Sequence, residues 1–290
     1  MAEPVDAPPT ETLTEFRARV RAFFTTLPDR LEDIDGTIAR GKAYRRALCD
    51  AGLAGLSYPT HLGGAGLPSE YDAAFREESL ELLPGEDALF GLGLGMVVPT
   101  LRDHASEELQ QRFIPPALRG DEIWCQLYSE PGAGSDLAGL TTRAVRDGDE
   151  WVISGQKVWT SQAHIADLGI LLARTDFDVP KHGGITMFAL PMQQPGVTVR
   201  PLVQMTGAAE VHEVVLDEAR APAEWVVGEV NGGRGLAVAR LGHERTSLGR
   251  GNLTDDDNKS KAGRSPLPVN GLIGRATEQG RIDDAVTRDG

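Results

Sequence analysis

The sequence predicts an α+β fold in three successive segments. These are an all-helical region over residues 1–121, an antiparallel, barrel-like β region over 122–232, and the start of a further helical region over 233–290. Three observations predict it. Apolar residues recur at helical spacing through the first 120 residues. Short runs rich in Val, Ile, Leu and Thr, punctuated by turn signals, replace them up to about residue 232. The helical period then returns.

The first residues, MAEPVDAPPTE, are polar and Pro-containing and read as a frayed arm. TETLTEFRARVRAFFTTL then places Leu13, Phe16, Val20, Phe23 and Phe24 on one helical face, with Thr12 or Thr14 as its cap. KAYRRALCDAGLAGL predicts a second helix, with Tyr44, Leu48 and Leu53 at helical spacing and Gly52 as its stop. The Gly/Pro-rich HLGGAGLPSE cannot hold a helix and reads as a loop. SEYDAAFREESLELL, the stretch from Glu86 to about Leu101, and SEELQQRFIPPALRG predict three more helices, the last capped by Ser106 and stopped at Gly120. GLGLG at 91–95 reads as close helix packing rather than a nucleotide loop, since no strand precedes it.

TTRAV and EWVIS flank RDGD, a hairpin signal. DLGILLART, GITMFALPM, VTVRPLV and EVVLD predict further strands. After GEVNGGRG, the run LAVARLGHERTSL puts Ala237, Leu241, Glu244 and Leu248 on one face. Residues 251–271 are polar and aperiodic and read as a loop, with Asp255, Asp256 and Asp257 as a solvated acidic run.

Charge and composition exclude several function classes. The formal net charge is -14, which leaves no basic surplus for a phosphate backbone or an anionic membrane surface. No apolar run is long enough to span a bilayer. Cys49 and Cys125 are far apart and lack metal-ligand spacing, so they read as reduced, buried thiols of a cytoplasmic protein. The six histidines form no ligand pattern, so no metal site is expected.

Two stretches carry chemistry. SEPGAGSD (129–136) is a loop with small glycines and hydroxyls at both ends, suited to close approach of an anion or a polar ring edge. GQKVWTS (155–161) sets an indole beside two hydroxyls, suited to an aromatic cofactor. Read alone, the first is a tight turn and Trp159 is a core residue of the β region.

Together, in this order and spacing, the two stretches resemble the signature of the acyl-CoA dehydrogenase family. AGLAGLSYPTHLGGAGL (51–67), the segment running into SEPGAGSD, and ARAPAEWVVGEVNGGRGLAVARLGHER (219–245) resemble its flanking regions. The resemblance covers roughly residues 12–250. It implies FAD as cofactor, with Ser129 on the pyrimidine side of the flavin, Gly134 and Ser135 near the pyrophosphate, Trp159 flanking the isoalloxazine and Ser161 at N5. Gln126 and Tyr128 belong to the same strand. It implies α,β-dehydrogenation of an acyl-CoA thioester, with electrons passed to an electron-transferring flavoprotein. Glu244, in the E-R pair of GHERTSLGR, matches the catalytic base of the isovaleryl- and long-chain-specific members, whereas other members carry it later in the C-terminal bundle. The resemblance further implies that the chain stops before that bundle is complete, so that a homo-oligomer or a partner chain is expected to supply the missing helices. Two other readings stay open: a relative that binds FAD or acyl-CoA without turnover, and a flavin-dependent oxidase or monooxygenase of the same fold.

Overall fold

The structure is a computed structural model that describes residues 11–80 and 82–237. The polar loop at 251–271, the acidic run and Glu244 lie outside the described residues.

The helical segments start and stop where local chemistry requires. α1 (Leu13–Leu31) opens with a reciprocal cap: the Glu15 amide donates to Thr12 Oγ1 at 3.3 Å, and the Thr12 amide donates to Glu15 Oε2 at 2.8 Å. Thr12 is therefore the cap. α1 buries Phe16, Val20, Phe23, Phe24, Leu27 and Leu31 against α2 (Thr37–Asp50) and α3 (Ser69–Ser79). Phe16 meets Tyr71 of α3 edge-on, with centroids 5.0 Å apart.

The stretch expected as one helix from Glu86 is instead three pieces: a 3-10 helix (Gly85–Phe90), a π-helix (Gly93–Val97) and α4 (Val98–His104). Pro99 has no amide to donate back to the turn containing Gly95, and its ring crowds that turn, so the helix widens there. The glycines partly answer to packing. A Cβ at Gly93 would lie 3.6 Å from Trp124, whereas at Gly91 and Gly95 it would meet nothing within 4 Å. α5 (Glu107–Arg119) is capped by Ser106 and ends at Gly120 with φ 72°. A side chain at Gly120 would strike Arg45 Cβ at 2.6 Å.

Eight strands follow: β1 (Trp124–Leu127), β2 (Arg143–Asp147), β3 (Glu150–Ser161), β4 (Leu168–Arg174), β5 (Ile185–Pro191), β6 (Val197–Leu202), β7 (Val211–Pro222) and β8 (Val226–Val227). Their order is β6-β7-β3-β2-β4-β5-β8, with β1 beside β4. The α+β expectation holds, but the antiparallel, barrel-like reading is corrected. The sheet is open and mixed: β1 runs parallel to β4, and β2 touches β4 in parallel through Arg143 and Arg174. Consecutive runs separated by turn signals suggest only hairpins. The β1–β4 pairing joins residues separated by an entire hairpin, and no local signal announces such a partner.

β4 is buried along its whole length. Leu168, Ile170 and Leu172 face a core shared with Leu109, Phe113, Ile114 and Leu118 of α5, while Leu171 and Ala173 face a second core with Cys125, Ile153 and Phe188. α5 and one face of the sheet thus share a core, while the other face packs within the sheet region itself. At their junction Phe113 lies edge-on between Trp124 and Trp225, at 5.3 and 4.9 Å. Cys125 is buried and free, and burial pushes its thiol up to about 12. Cys49 is only half-buried, though also free. Among the described residues, no helix is long and apolar enough to cross a membrane.

Candidate functional site

The site forms where β1 and β3 end side by side. After β1 the chain runs through Tyr128 and Ser129 into a tight turn closed by Glu130 and Ala133. Their amides donate to each other's carbonyls, at 2.8 and 3.0 Å. Pro131 fits the second position of such a turn. The Val158 amide of β3 donates to the Ser129 carbonyl at 2.9 Å, which ties the two chain segments together.

β3 then changes phase. Its inward side chains are Trp151, Ile153 and Lys157, all on odd positions, and strict alternation would send Trp159 inward too. A bulge intervenes. Between Lys157 and Thr160 the pairing with β7 carries one extra residue on β3, and Trp159 adopts φ 61°. Thr160 turns inward in its place and the indole of Trp159 is left 66% exposed. Trp159 is therefore no core residue, against the reading of that tryptophan in isolation.

These turns bring Ser129, Trp159 and Ser161 around one open cleft, together with Gln126, Tyr128, Val158 and Leu92 from the helical region. Ser135 stands elsewhere, in a second cleft. That cleft has an apolar floor of Leu137, Leu172 and Ile185 and a polar rim of Ser135, Asp136, His182 and Arg234. Gly134 lies on the loop between, and nothing comes within 4 Å of where its Cβ would be. Packing within the chain therefore does not explain a glycine at that position.

A flat aromatic cofactor with a polar edge needs an accessible aromatic wall and hydroxyl groups beside it. The first cleft has both, in an exposed indole flanked by two serines, so these residues fit a flavin.

Beneath the cleft is a feature the motif residues alone did not reveal. Lys157 is fully buried, and its Nζ donates to Glu130 Oε1 at 2.7 Å and to the Tyr128 carbonyl at 3.2 Å. Glu130 also accepts from the Thr141 amide and hydroxyl and from the Thr142 amide, at 2.7, 2.8 and 2.9 Å. Burial alone would raise the Glu130 pKa. The adjacent ammonium and these donors outweigh it and hold the carboxyl at about 2. The signal was present in the sequence: Lys157 shares the inward phase of Trp151 and Ile153, and a lysine there demands a buried acid.

On the other side of the bulge, His212 of β7 is buried, its Nδ1 3.3 Å from the Thr160 carbonyl, and its ring stacks on His164 at 4.4 Å.

The family model described as acyl-CoA dehydrogenase, N-terminal domain, matches residues 10–121. That described as acyl-CoA dehydrogenase, middle domain, matches residues 125–219. A solved structure named Tcur3481-Tcur3483 steroid ACAD G363A variant is 33% identical, with a TM-score of 0.71, over 96% of this chain and 70% of that one. The chain belongs to the acyl-CoA dehydrogenase family. Acyl-CoA dehydrogenase IpdE1 of Mycobacterium tuberculosis is 40% identical over 245 residues, which is 81% of this chain and 63% of the relative. The chain thus spans less than two thirds of that relative's length. The ChsE4-ChsE5 complex of Mycobacterium tuberculosis is 31% identical, with a TM-score of 0.66, over 82% of this chain and 61% of that one.

Proposed function

We propose that this family member binds FAD and takes part in α,β-dehydrogenation of an acyl-CoA thioester, with electrons leaving to an electron-transferring flavoprotein in a cytoplasmic setting. The observation that carries this reading is the convergence of Ser129, Trp159 and Ser161 on one open cleft, at the positions the family motifs assign to the flavin.

When bound, the flavin supplies the acceptor for the hydride that leaves the β-carbon. The protein supplies orientation. Trp159 offers a flat apolar face, and the Ser129 and Ser161 hydroxyls donate to a polar ring edge beside it. Leu92 adds an apolar contact from the helical side of the cleft. The rim of the second cleft, with Ser135, His182 and Arg234, supplies donors for anionic parts of cofactor or substrate, and the room beside Gly134 lets a ligand approach the backbone. Glu244, at the position of the isovaleryl- and long-chain-type base, is the proposed acceptor of the α-proton. The chain works in association with a second copy or a different partner chain, a reading supported by the relative solved as a two-component complex.

The test is the flavin absorbance of the purified protein, alone and with a panel of acyl-CoAs under anaerobic conditions. The panel starts with a steroid acyl-CoA, since one similar structure is named a steroid ACAD. Bleaching of bound flavin, abolished in Glu244→Gln, is the expected result. Bound flavin that no thioester bleaches would replace this reading with a binding-only relative. Rapid reoxidation by oxygen would replace it with an oxidase.

A further inference from the structure

Three consecutive residues, Tyr128, Ser129 and Glu130, are all held by two consecutive residues of β3. Lys157 Nζ bonds the Tyr128 carbonyl and the Glu130 carboxylate, and the Val158 amide bonds the Ser129 carbonyl. Ser129 is thus gripped on both sides and through its own peptide. The residue after Val158 is Trp159, whose left-handed backbone turns its indole out into the same cleft that Ser129 lines. One buried ammonium therefore connects the two chain segments whose mutual register decides whether hydroxyl and indole face one space.

A lysine is an expensive way to fill this position. Its desolvation is offset only by near-ideal partners, and an apolar pair of similar size would often hold the fold as well. Four donors converge on Glu130, and the Lys157 contacts bracket Ser129 rather than spread over the core. That economy of contacts points to register and not to bulk stability.

We propose that Lys157 is a positioning residue of the cleft: it acts through Glu130 and the Tyr128 peptide to fix Ser129 in the cleft that Trp159 also lines. The inference rests on the reading of this cleft as the flavin site, and it deepens that reading.

The experiment compares the wild-type chain with Lys157→Met, Lys157→Arg and the double variant Glu130→Gln/Lys157→Met, each alone and with Ser129→Ala. Two quantities are measured. The first is amide exchange at Val158 and across 126–133 in flavin-free protein, which needs no ligand. The second is FAD affinity with the visible spectrum of the bound flavin. Lys157→Met is expected to speed exchange at Val158 and to weaken FAD roughly tenfold or more. The loss should be non-additive with Ser129→Ala, because both act on one contact. The double variant, which leaves no unpaired buried charge, should refold while still binding FAD weakly and with a shifted flavin band. Normal FAD affinity and an unshifted spectrum in the folded double variant would overturn the proposal, as would unchanged exchange at Val158. Strict additivity with Ser129→Ala would assign Lys157 to fold stability alone and overturn it too. If wild type takes up no FAD, the flavin reading fails. The exchange arm then still decides whether Lys157 sets the register.

Discussion

Replacing Trp159 by glycine separates a structural tryptophan from a ligand-facing one. A tryptophan buried in a β-sheet core costs about 3–5 kcal/mol when truncated. Trp159 should behave otherwise. It is 66% exposed, so only about a third of the side chain is withdrawn from water, worth on the order of 1 kcal/mol. Glycine adds about 0.5–1 kcal/mol of chain entropy to be lost on folding. Against these stands relief of the φ 61° backbone, which costs a residue with a Cβ about 1–2 kcal/mol and glycine almost nothing. The opposing effects nearly cancel, and the flavin-free variant should unfold in urea within about 1 kcal/mol of wild type. FAD titration of the same variant should show a marked loss of affinity. A stability loss above about 3 kcal/mol would refute the argument from strain and exposure. Unchanged FAD binding would refute the indole's place as a cofactor wall.

Acid should act through Glu130. Its folded pKa of about 2 lies below the ordinary value, so its stabilisation is complete above about pH 4.3 and is lost as pH falls from there towards 2; the double variant Glu130→Gln/Lys157→Met should flatten that limb in acid-unfolding curves. Phe113→Ala should cost about 3–5 kcal/mol in urea unfolding, because it removes a wholly buried ring and two edge-on contacts with Trp124 and Trp225; a loss under 1 kcal/mol would contradict that packing. His164 should titrate below the usual histidine range, pushed down by partial desolvation of its largely exposed ring and by the neighbouring His212. In NMR titrations His212→Asn should move it back up, and no movement would separate the two rings.

Much of the helical half could be read directly. The Thr12 cap with Glu15 three residues on, Ser106 and Gly120 are local signals, and α1 and α5 begin and end on them. The break ahead of Pro99 was a weaker signal, because an interior proline marks disturbance without saying which helix type results. The sheet was legible as strands but not as topology. Short apolar runs such as those of β4 and β5 announce burial, while the parallel partner of β1 is set by chain closure over tens of residues. At the cleft, Ser129, Trp159 and Ser161 were identifiable from their motifs, but the exposure of Trp159 depended on a bulge that simple alternation misses. The Lys157–Glu130 pair was legible only in part: the small and hydroxyl residues of the two stretches do not point to it, and strand phase becomes informative only once β3 is known to extend from 150 to 161.

The length of β3 also bears on how the protein can be handled. Its twelve residues span on the order of 35 Å at the rise of an extended chain, with Ser161 at one end and the exposed Asp147–Gly148–Asp149 tip at the other. A dye, an affinity handle or an inserted reporter domain carried on that tip would stand far from the cleft while joined to it by a single continuous strand. Binding at one end could then be followed by an optical or surface-tethered readout at the other, without altering any residue that a ligand would meet.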